Sequence, residues 1–474
     1  MSNKIYITTT LPYINANPHI GFAREIIEAD VLARFYRSFG KEVFFNTGTD
    51  EHGLKIFRKA QELGVDTQKY CDEKAPEFDK LKSSLNLSYD NFIRTTDKKH
   101  IKAAQEFWRA CDKNGYIYKK NYKIKYCVGC ELEKTDSELV DGKCPDHPNA
   151  ELEIIEEENY FFRYSAFQDK LKELFKNNPD FVLPAKRFNE IKSFVERGLQ
   201  DFSISRLKEK MPWGIPVPGD EEQVMYVWFD ALVNYISAIG WPENIKKFKE
   251  WWPAIQLCGK DNLRPQSAMW QAMLMSVNLP SSKQIFVNGF INVDGQKMSK
   301  SLGNVISPYE MVEKFGIDGT RYLLLSAGIF GEDVNITWEN LIEKYNADLA
   351  NGLGNLLSRV ITLAQKGNFQ FQISNFKSIS NEQFSNLINK LELGKALEYI
   401  WEIVDKDNKF IGDEKPWELQ KTDQKKFEEI LKKLMEDLNL ISELLVPLMP
   451  ETAEKIQKAL ETKKIEDILF QRIR

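Results

Sequence analysis

The opening stretch of the chain constrains its fold more than any other feature. Lys4-Ile5-Tyr6-Ile7-Thr8-Thr9-Thr10 is a β-like run. A turn rich in Pro, Asn and Gly follows from Leu11 to Gly21. Apolar residues then recur at helical spacing through Ile26, Ile27, Val31, Leu32 and Phe35, and the pattern stops near Gly40. Glu42-Val43-Phe44-Phe45-Asn46 is a second β-like run, with polar Thr47-Gly48-Thr49-Asp50 at its end. Strand, turn, helix, strand is how a parallel α/β sheet begins. Such sheets bind ligands at the carboxyl ends of their strands, where both polar clusters of this stretch fall.

The remaining sequence divides around that nucleus. At 474 residues the chain exceeds what one core organises. Residues 116–222 change character, with short Tyr- and Lys-rich runs and many turn residues, and read as an insertion. The α/β pattern is expected to resume with Val224-Met225-Tyr226-Val227-Trp228, then Gln256-Leu257-Cys258 and Gln284-Ile285-Phe286-Val287. Residues 1–115 and 223–295 thus form two halves of one α/β domain, followed by a loop-bearing region at 296–343. Residues 344–474 are expected to be helical. Ile430, Leu431, Leu434, Met435, Leu438, Ile441, Leu444 and Leu445 keep helical spacing until Pro447 and Pro450.

Composition excludes some classes of function. No apolar run reaches the roughly 20 residues that cross a bilayer, and no signal-peptide pattern opens the chain, so no membrane role and a cytoplasmic location are expected. The net charge of −5 gives no global electrostatic case for nucleic acid, so any such binding rests on local surfaces. Of six cysteines, three cluster. Cys127-x2-Cys130 followed by Cys144-x2-His147 is the spacing of a zinc knuckle: each pair grips one ion from a tight turn, and four ligands close a structural site with no open position.

Two further motifs carry phosphate chemistry. His19-Ile20-Gly21 sits on the turn opening the first helix, whose free N–H groups and positive dipole end suit a triphosphate. Lys297-Met298-Ser299-Lys300-Ser301 places two lysines on a short loop before a helix near Ser307-Pro308. Such positioned charge is what adenylyl transfer requires. Together the two motifs resemble the signatures of class I aminoacyl-tRNA synthetases. The resemblance implies that His19 stabilises the α-phosphate of ATP, with Gly21 leaving room for it, and that Lys297 and Lys300 stabilise the β- and γ-phosphates. Phe22 departs from the pattern, which ends in a second histidine.

Across nearly the whole chain the sequence is similar to the methionyl-tRNA synthetases. The segments that carry this are Thr9-Thr10-Leu11-Pro12-Tyr13, Thr47-Gly48-Thr49-Asp50-Glu51-His52-Gly53, Tyr226-Val227-Trp228-Phe229-Asp230-Ala231 and Gly259-Lys260-Asp261. The likeness implies a Rossmann-type parallel-sheet catalytic domain, an inserted zinc-knuckle domain and a C-terminal helical bundle. Asp50 would bind the α-ammonium of methionine, and Leu11, Tyr13, Trp228, Ala231 and Tyr235 would line its side-chain pocket. Gly259 and Asp261 would meet ATP. Asn262 and Gln266 stand at pocket positions where the family has an apolar residue and a histidine, and are expected to form a satisfied network there.

In the helical region, Asn355, Arg359 and Trp417 resemble the family's anticodon-reading positions, by hydrogen bonding and stacking. The implied partners are tRNA(Met), methionine and ATP, with one structural Zn²⁺ and with Mg²⁺ accompanying ATP. A monomer is expected, since no appended dimerisation module is visible. The alternatives are a class I synthetase for another amino acid, or a non-catalytic tRNA-binding paralogue. The insertion is too short for the large editing domain of the leucyl, isoleucyl and valyl enzymes.

Overall fold

A computed structural model of the chain describes residues 3–130, 132–134, 138–298, 303–366 and 381–474. Among these, six strands form one parallel sheet, in the order Asn91–Arg94, Glu42–Thr49, Lys4–Thr8, Ala254–Gly259, Gln284–Asn288, Val182–Leu183. Successive side chains leave a strand on opposite faces, and here both faces are covered. Ile5 and Ile7 join the apolar cluster that holds Ile26, Ile27 and Leu32 of the first helix, Ile20–Ser38. Tyr6 between them joins a second cluster with Phe107 and Trp270. Ile255, Leu257 and Phe286 repeat the first choice, and Ala254, Cys258, Ile285 and Val287 the second.

The sheet grows outward from Lys4–Thr8 to Asn91–Arg94, then restarts on the other side of Lys4–Thr8 with Ala254–Gly259. The strand order therefore reverses between these two neighbours. Their carboxyl ends diverge into different connections, which is where open α/β sheets form their ligand crevice.

Within 116–222 lies a four-stranded antiparallel sheet, in the order Leu132–Lys134, Ile117–Cys127, Glu153–Phe162, Phe202–Ser203. The same stretch also returns Val182–Leu183 to the edge of the parallel sheet. The run Val224–Trp228 does not continue the parallel sheet, contrary to its apolar pattern. Asp220–Met225 pairs antiparallel with Ser205–Leu207, and Val227–Leu232 is already helical. Length and periodicity cannot separate a buried strand from a buried helix over so few residues.

Ser307 caps the helix Pro308–Leu325 through a capping box with Glu310, with Pro308 at its start. Arg321 of this helix is fully buried and pairs with Asp30 of the first helix at 2.9 Å. It also donates to the carbonyls of Leu85, Pro447 and Leu448. One guanidinium thus joins the sheet domain to the helical region, which contains Asn355–Lys366, Glu382–Asn389, Leu393–Glu414, Pro416–Thr422, Gln424–Leu445 and Pro450–Thr462. No helix among the described residues is long and apolar enough to cross a membrane.

Candidate active site and metal centre

The turn after Lys4–Thr8 is stitched to the end of Glu42–Thr49. The hydroxyls of Thr9 and Thr47 lie 2.7 Å apart, and Asp50 N–H donates to the carbonyl of Pro12 at 3.0 Å. Tyr13 and Asp50 form a parallel bridge. Leu11, Tyr13 and Asp50 therefore belong to one rim of the crevice. The Asp50 carboxylate is buried and receives the Thr95 hydroxyl at 3.4 Å. Next to it, Glu51 is clamped by both guanidinium arms of Arg94, at 2.7 and 2.8 Å.

His52 Nδ1 lies 3.1 Å from Asp230 on the helix that carries Trp228 and Ala231, and both partners are buried. Burial pushes the Asp230 carboxyl upward, but His52 and His100 outweigh it and hold it below the ordinary carboxylate range. This buried pair ties the end of Glu42–Thr49, which carries Asp50, to the helix that carries Trp228. The sequence offered a faint signal for it, since His52 and Asp230 lie inside the two motifs that surround Asp50 and Trp228.

At the crevice's other end, His19 is the N-cap of the first helix, and its Nδ1 accepts the Gly21 N–H at 3.0 Å. A neutral imidazole that accepts at Nδ1 carries its proton on Nε2 and can donate from there. Desolvation lowers the His19 pKa, which favours that neutral form. A Cβ on Gly21 would meet the His19 ring at 2.9 Å, so a larger residue would disturb the cap. The same point lies 3.7 Å from Met298 Cε, and Ile20 N–H bonds the Ile306 carbonyl at 3.2 Å, so the segments flanking the lysine loop sit on this turn. Lys297 is exposed, with its Nζ 4.7 Å from the centre of the Phe290 ring. Lys300 lies outside the described residues. Phe22 packs into the core against Phe78 and offers no donor.

Asp261 follows the Ala254–Gly259 strand, and Gly259 approaches it so closely that a Cβ there would lie 2.6 Å from its Oδ1. Its carboxyl is raised by desolvation, against the pull of Lys297. Glu25, on which the sequence analysis drew no reading, faces the same place. Its Oε1 accepts the Thr10 N–H at 2.7 Å. Burial pushes its pKa from 4.5 to about 8, and Asp261 adds to the rise.

A group of aromatics adjoins Tyr13 of that rim. Tyr13 and Trp228 pack with Tyr126, Val128, Tyr226 and Val227 in a small cluster. Trp228 Nε1 is buried and has no hydrogen-bond partner among the described residues. Tyr235 is buried with its ring centre 5.9 Å from that of Trp270. Gln266, in the π-helical turn Pro265–Met269, donates to the Tyr235 hydroxyl and accepts from Gln256 at 3.2 Å. Both ends of this amide are therefore satisfied. Asn262 is only half-buried and donates to Asp261 Oδ1 at 3.3 Å.

Cys127, Cys130, Cys144 and His147 converge, with all four ligand atoms within 4.8 Å of one another. The sulfurs of Cys130 and Cys144 lie 3.4 Å apart, and His147 Nδ1 is 3.2 Å from Cys130 Sγ. Ligands on a tetrahedral zinc ion would be spaced by about 3.7 Å for two sulfurs, so the donor set fits such an ion. Gly129 is obligatory, because a Cβ there would strike the His147 ring at 2.5 Å. Lys55 donates to the Gly129 carbonyl at 2.5 Å and lies 5.4 Å from the Tyr13 ring centre, which ties the knuckle to the crevice rim.

On Asn355–Lys366, Asn355 is exposed and Arg359 half-buried, one turn apart on one face. Arg359 reaches the Asn408 carbonyl at 3.5 Å, on the helix leading to Lys415. Trp417 is 46% exposed, too much for a core residue of its size. Among the described residues no hydrogen bond, ion pair or ring contact joins Trp417 to Asn355 or Arg359.

Residues 5–153 and 147–361 match the family described as "tRNA synthetases class I (M)", and residues 370–468 match the "Anticodon binding domain of methionyl tRNA ligase". A methionine–tRNA ligase of Thermotoga maritima is 42% identical over 96% of this chain and 74% of its own length. One of Rickettsia typhi is 40% identical over 100% of this chain and 96% of its own. Among solved structures, the Mycobacterium tuberculosis methionyl-tRNA synthetase in complex with methionyl-adenylate superposes with a TM-score of 0.91. It is 38% identical, over 96% of this chain and 93% of that one.

Proposed function

The chain belongs to the methionyl-tRNA synthetase family and works as a methionine–tRNA ligase, and from that premise we propose which of its residues carry the reaction. Methionine is joined to tRNA(Met) at the expense of ATP, through methionyl-adenylate. The observation that carries the assignment of roles is the reversal of strand order between Lys4–Thr8 and Ala254–Gly259, with the Asp50 carboxylate after Glu42–Thr49 and a helix N-terminus following the turn after Lys4–Thr8.

Asp50 holds the methionine α-ammonium, a role suited to a buried carboxylate at a strand end. Leu11, Tyr13, Trp228, Ala231 and Tyr235 enclose the side chain, where a thioether gains from aromatic contact. Gln266 supports that wall through Tyr235, and Asn262 acts at its edge through Asp261. Gly259 and Asp261 receive the ribose end of ATP. The triphosphate lies across the first helix N-terminus. The methionine carboxylate oxygen attacks the α-phosphorus, and the bond to the bridging oxygen of pyrophosphate breaks. His19 donates from Nε2 to the α-phosphoryl oxygen as charge develops there, and Gly21 leaves room for its approach. Lys297 and Lys300 neutralise the departing β- and γ-phosphates. Mg²⁺ bound with ATP supplies further charge neutralisation on the phosphates. In the second step the tRNA terminal 2′-hydroxyl takes methionine from the adenylate and AMP leaves.

Cys127, Cys130, Cys144 and His147 hold a structural zinc ion. Asn355 and Arg359 bond anticodon bases and Trp417 stacks on one. The test is ATP–pyrophosphate exchange dependent on each amino acid, followed by charging of tRNA(Met). Exchange with methionine and its loss in His19→Ala are expected. Exchange driven by another amino acid alone, or by none, would overturn the reading.

A further inference from the structure

His52 is held at the end of Glu42–Thr49 by contacts on either side of it. The Glu51 carbonyl accepts Trp213 Nε1–H at 2.6 Å, and the Gly53 N–H donates to the Trp213 carbonyl at 3.2 Å. The backbone before and after His52 is thus bound to one tryptophan, whose ring centre lies 5.8 Å from that of the imidazole. With its backbone pinned, the ring presents Nδ1 to Asp230 at 3.1 Å. His52 is 5% exposed and Asp230 is fully buried. Neither His52 Nδ1 nor either Asp230 oxygen has any further hydrogen-bond partner among the described residues.

A second imidazole approaches the same carboxylate. His100, on the helix Lys98–Lys113, has Nε2 4.0 Å from Asp230 Oδ1. Its Nδ1 lies 3.0 Å from Ser237 Oγ, whose own proton goes to the Asn234 carbonyl at 3.3 Å. The hydroxyl therefore accepts from His100 Nδ1–H, and a neutral His100 turns an unprotonated Nε2 toward Asp230. That accounts for the longer distance and makes His52 the near partner of the carboxylate. A buried carboxylate that loses its near partner is costly, so the two segments hold each other at one spacing. Asp50 stands two residues before His52, and Asp230 lies between Trp228 and Ala231 on Val227–Leu232.

We propose that His52 and Asp230 are positioning residues for methionine: their buried pair sets the separation between Asp50, which takes the ammonium, and the Trp228–Ala231 stretch, which meets the side chain, and thereby gauges side-chain length. The inference rests on the methionine reading above.

The experiment is ATP–pyrophosphate exchange on the full chain, with methionine and with ethionine, which is one methylene longer. Wild type tests the reading itself: without methionine-dependent exchange that reading falls, whatever the variants do. The proposal is tested by Asp230→Asn, His52→Gln and the double variant. Each single substitution is expected to raise the methionine KM about tenfold, with kcat and the KM for ATP held, because a slack spacing costs orientation of the amino acid alone. The methionine-to-ethionine ratio of kcat/KM should fall about threefold, since the looser site admits the longer chain. The double variant should repeat the single-variant values, because both substitutions break one pair. Ser237→Ala, which touches His100 and not His52, should leave the KM and the ratio as in wild type. If Asp230→Asn fails to fold, His52→Gln and Ser237→Ala decide. Multiplied losses in the double variant, an unchanged ratio in His52→Gln, or an equal change in Ser237→Ala would overturn the proposal.

Discussion

Glu25 shows how one residue couples the crevice to solution conditions. Its carboxyl is raised from 4.5 to about 8 because it is buried with only the Thr10 N–H and hydroxyl to favour the charge. The folded chain therefore holds this proton more tightly than the unfolded chain does. Its contribution to stability is complete below 4.5 and is lost as the pH climbs through about 8. Tm measured against pH should fall across that window, and Glu25→Gln should reduce the slope. Identical slopes in both proteins would place the titration elsewhere. His19 and Gly21 make the complementary point about geometry. The histidine's donor nitrogen is defined only because its other nitrogen caps the helix it opens, and Gly21→Ala would press on that ring.

The metal knuckle is an element that reaches beyond itself. Tyr126 and Val128, flanking Cys127, pack with Tyr13 and Trp228, so the knuckle forms the outer side of the proposed methionine wall. Stripping the metal with a chelator should raise the methionine KM about tenfold or more while affecting kcat less, since a misplaced wall costs orientation. Restored KM on adding Zn²⁺ checks the assignment, and an unaltered KM in metal-free protein would refute it. Helix Pro308–Leu325 is the second such element. Arg321→Leu would leave Asp30 buried with only Arg34 and Ser88 and free three backbone carbonyls. Equilibrium unfolding should register a loss of about 3 kcal/mol.

At the scale of the whole molecule, the crevice and the exposed Trp417 belong to different bodies of structure joined through the Arg321 helix. Activation of methionine and selection of tRNA should therefore separate. Trp417→Ala should raise the KM for tRNA about tenfold, the worth of one stacked base, and leave methionine-dependent exchange unchanged. Equal losses in both assays would mean that Trp417 holds structure instead of reading a base.

The sequence by itself determined the parallel sheet's beginning, the turn that opens the first helix and the Cys/His spacing that converges in the fold, because each rests on local pattern. Periodicity marked Lys4–Thr8 and Ile20–Ser38, and the spacing of Cys127, Cys130, Cys144 and His147 marked the knuckle. It misread Val224–Trp228, where a strand and a helix meet inside one apolar run. Only the tertiary structure decided which distant groups share one dry space. Glu25 gains its raised pKa from burial beside Thr10 and Asp261, and His52 meets Asp230 across the fold. Gln266 reads as a polar oddity until Gln256, Gln271 and Ser282 close around it. Burial and hydrogen-bond direction are properties of surroundings, and the surroundings are assembled only when the sheet brings remote strands side by side.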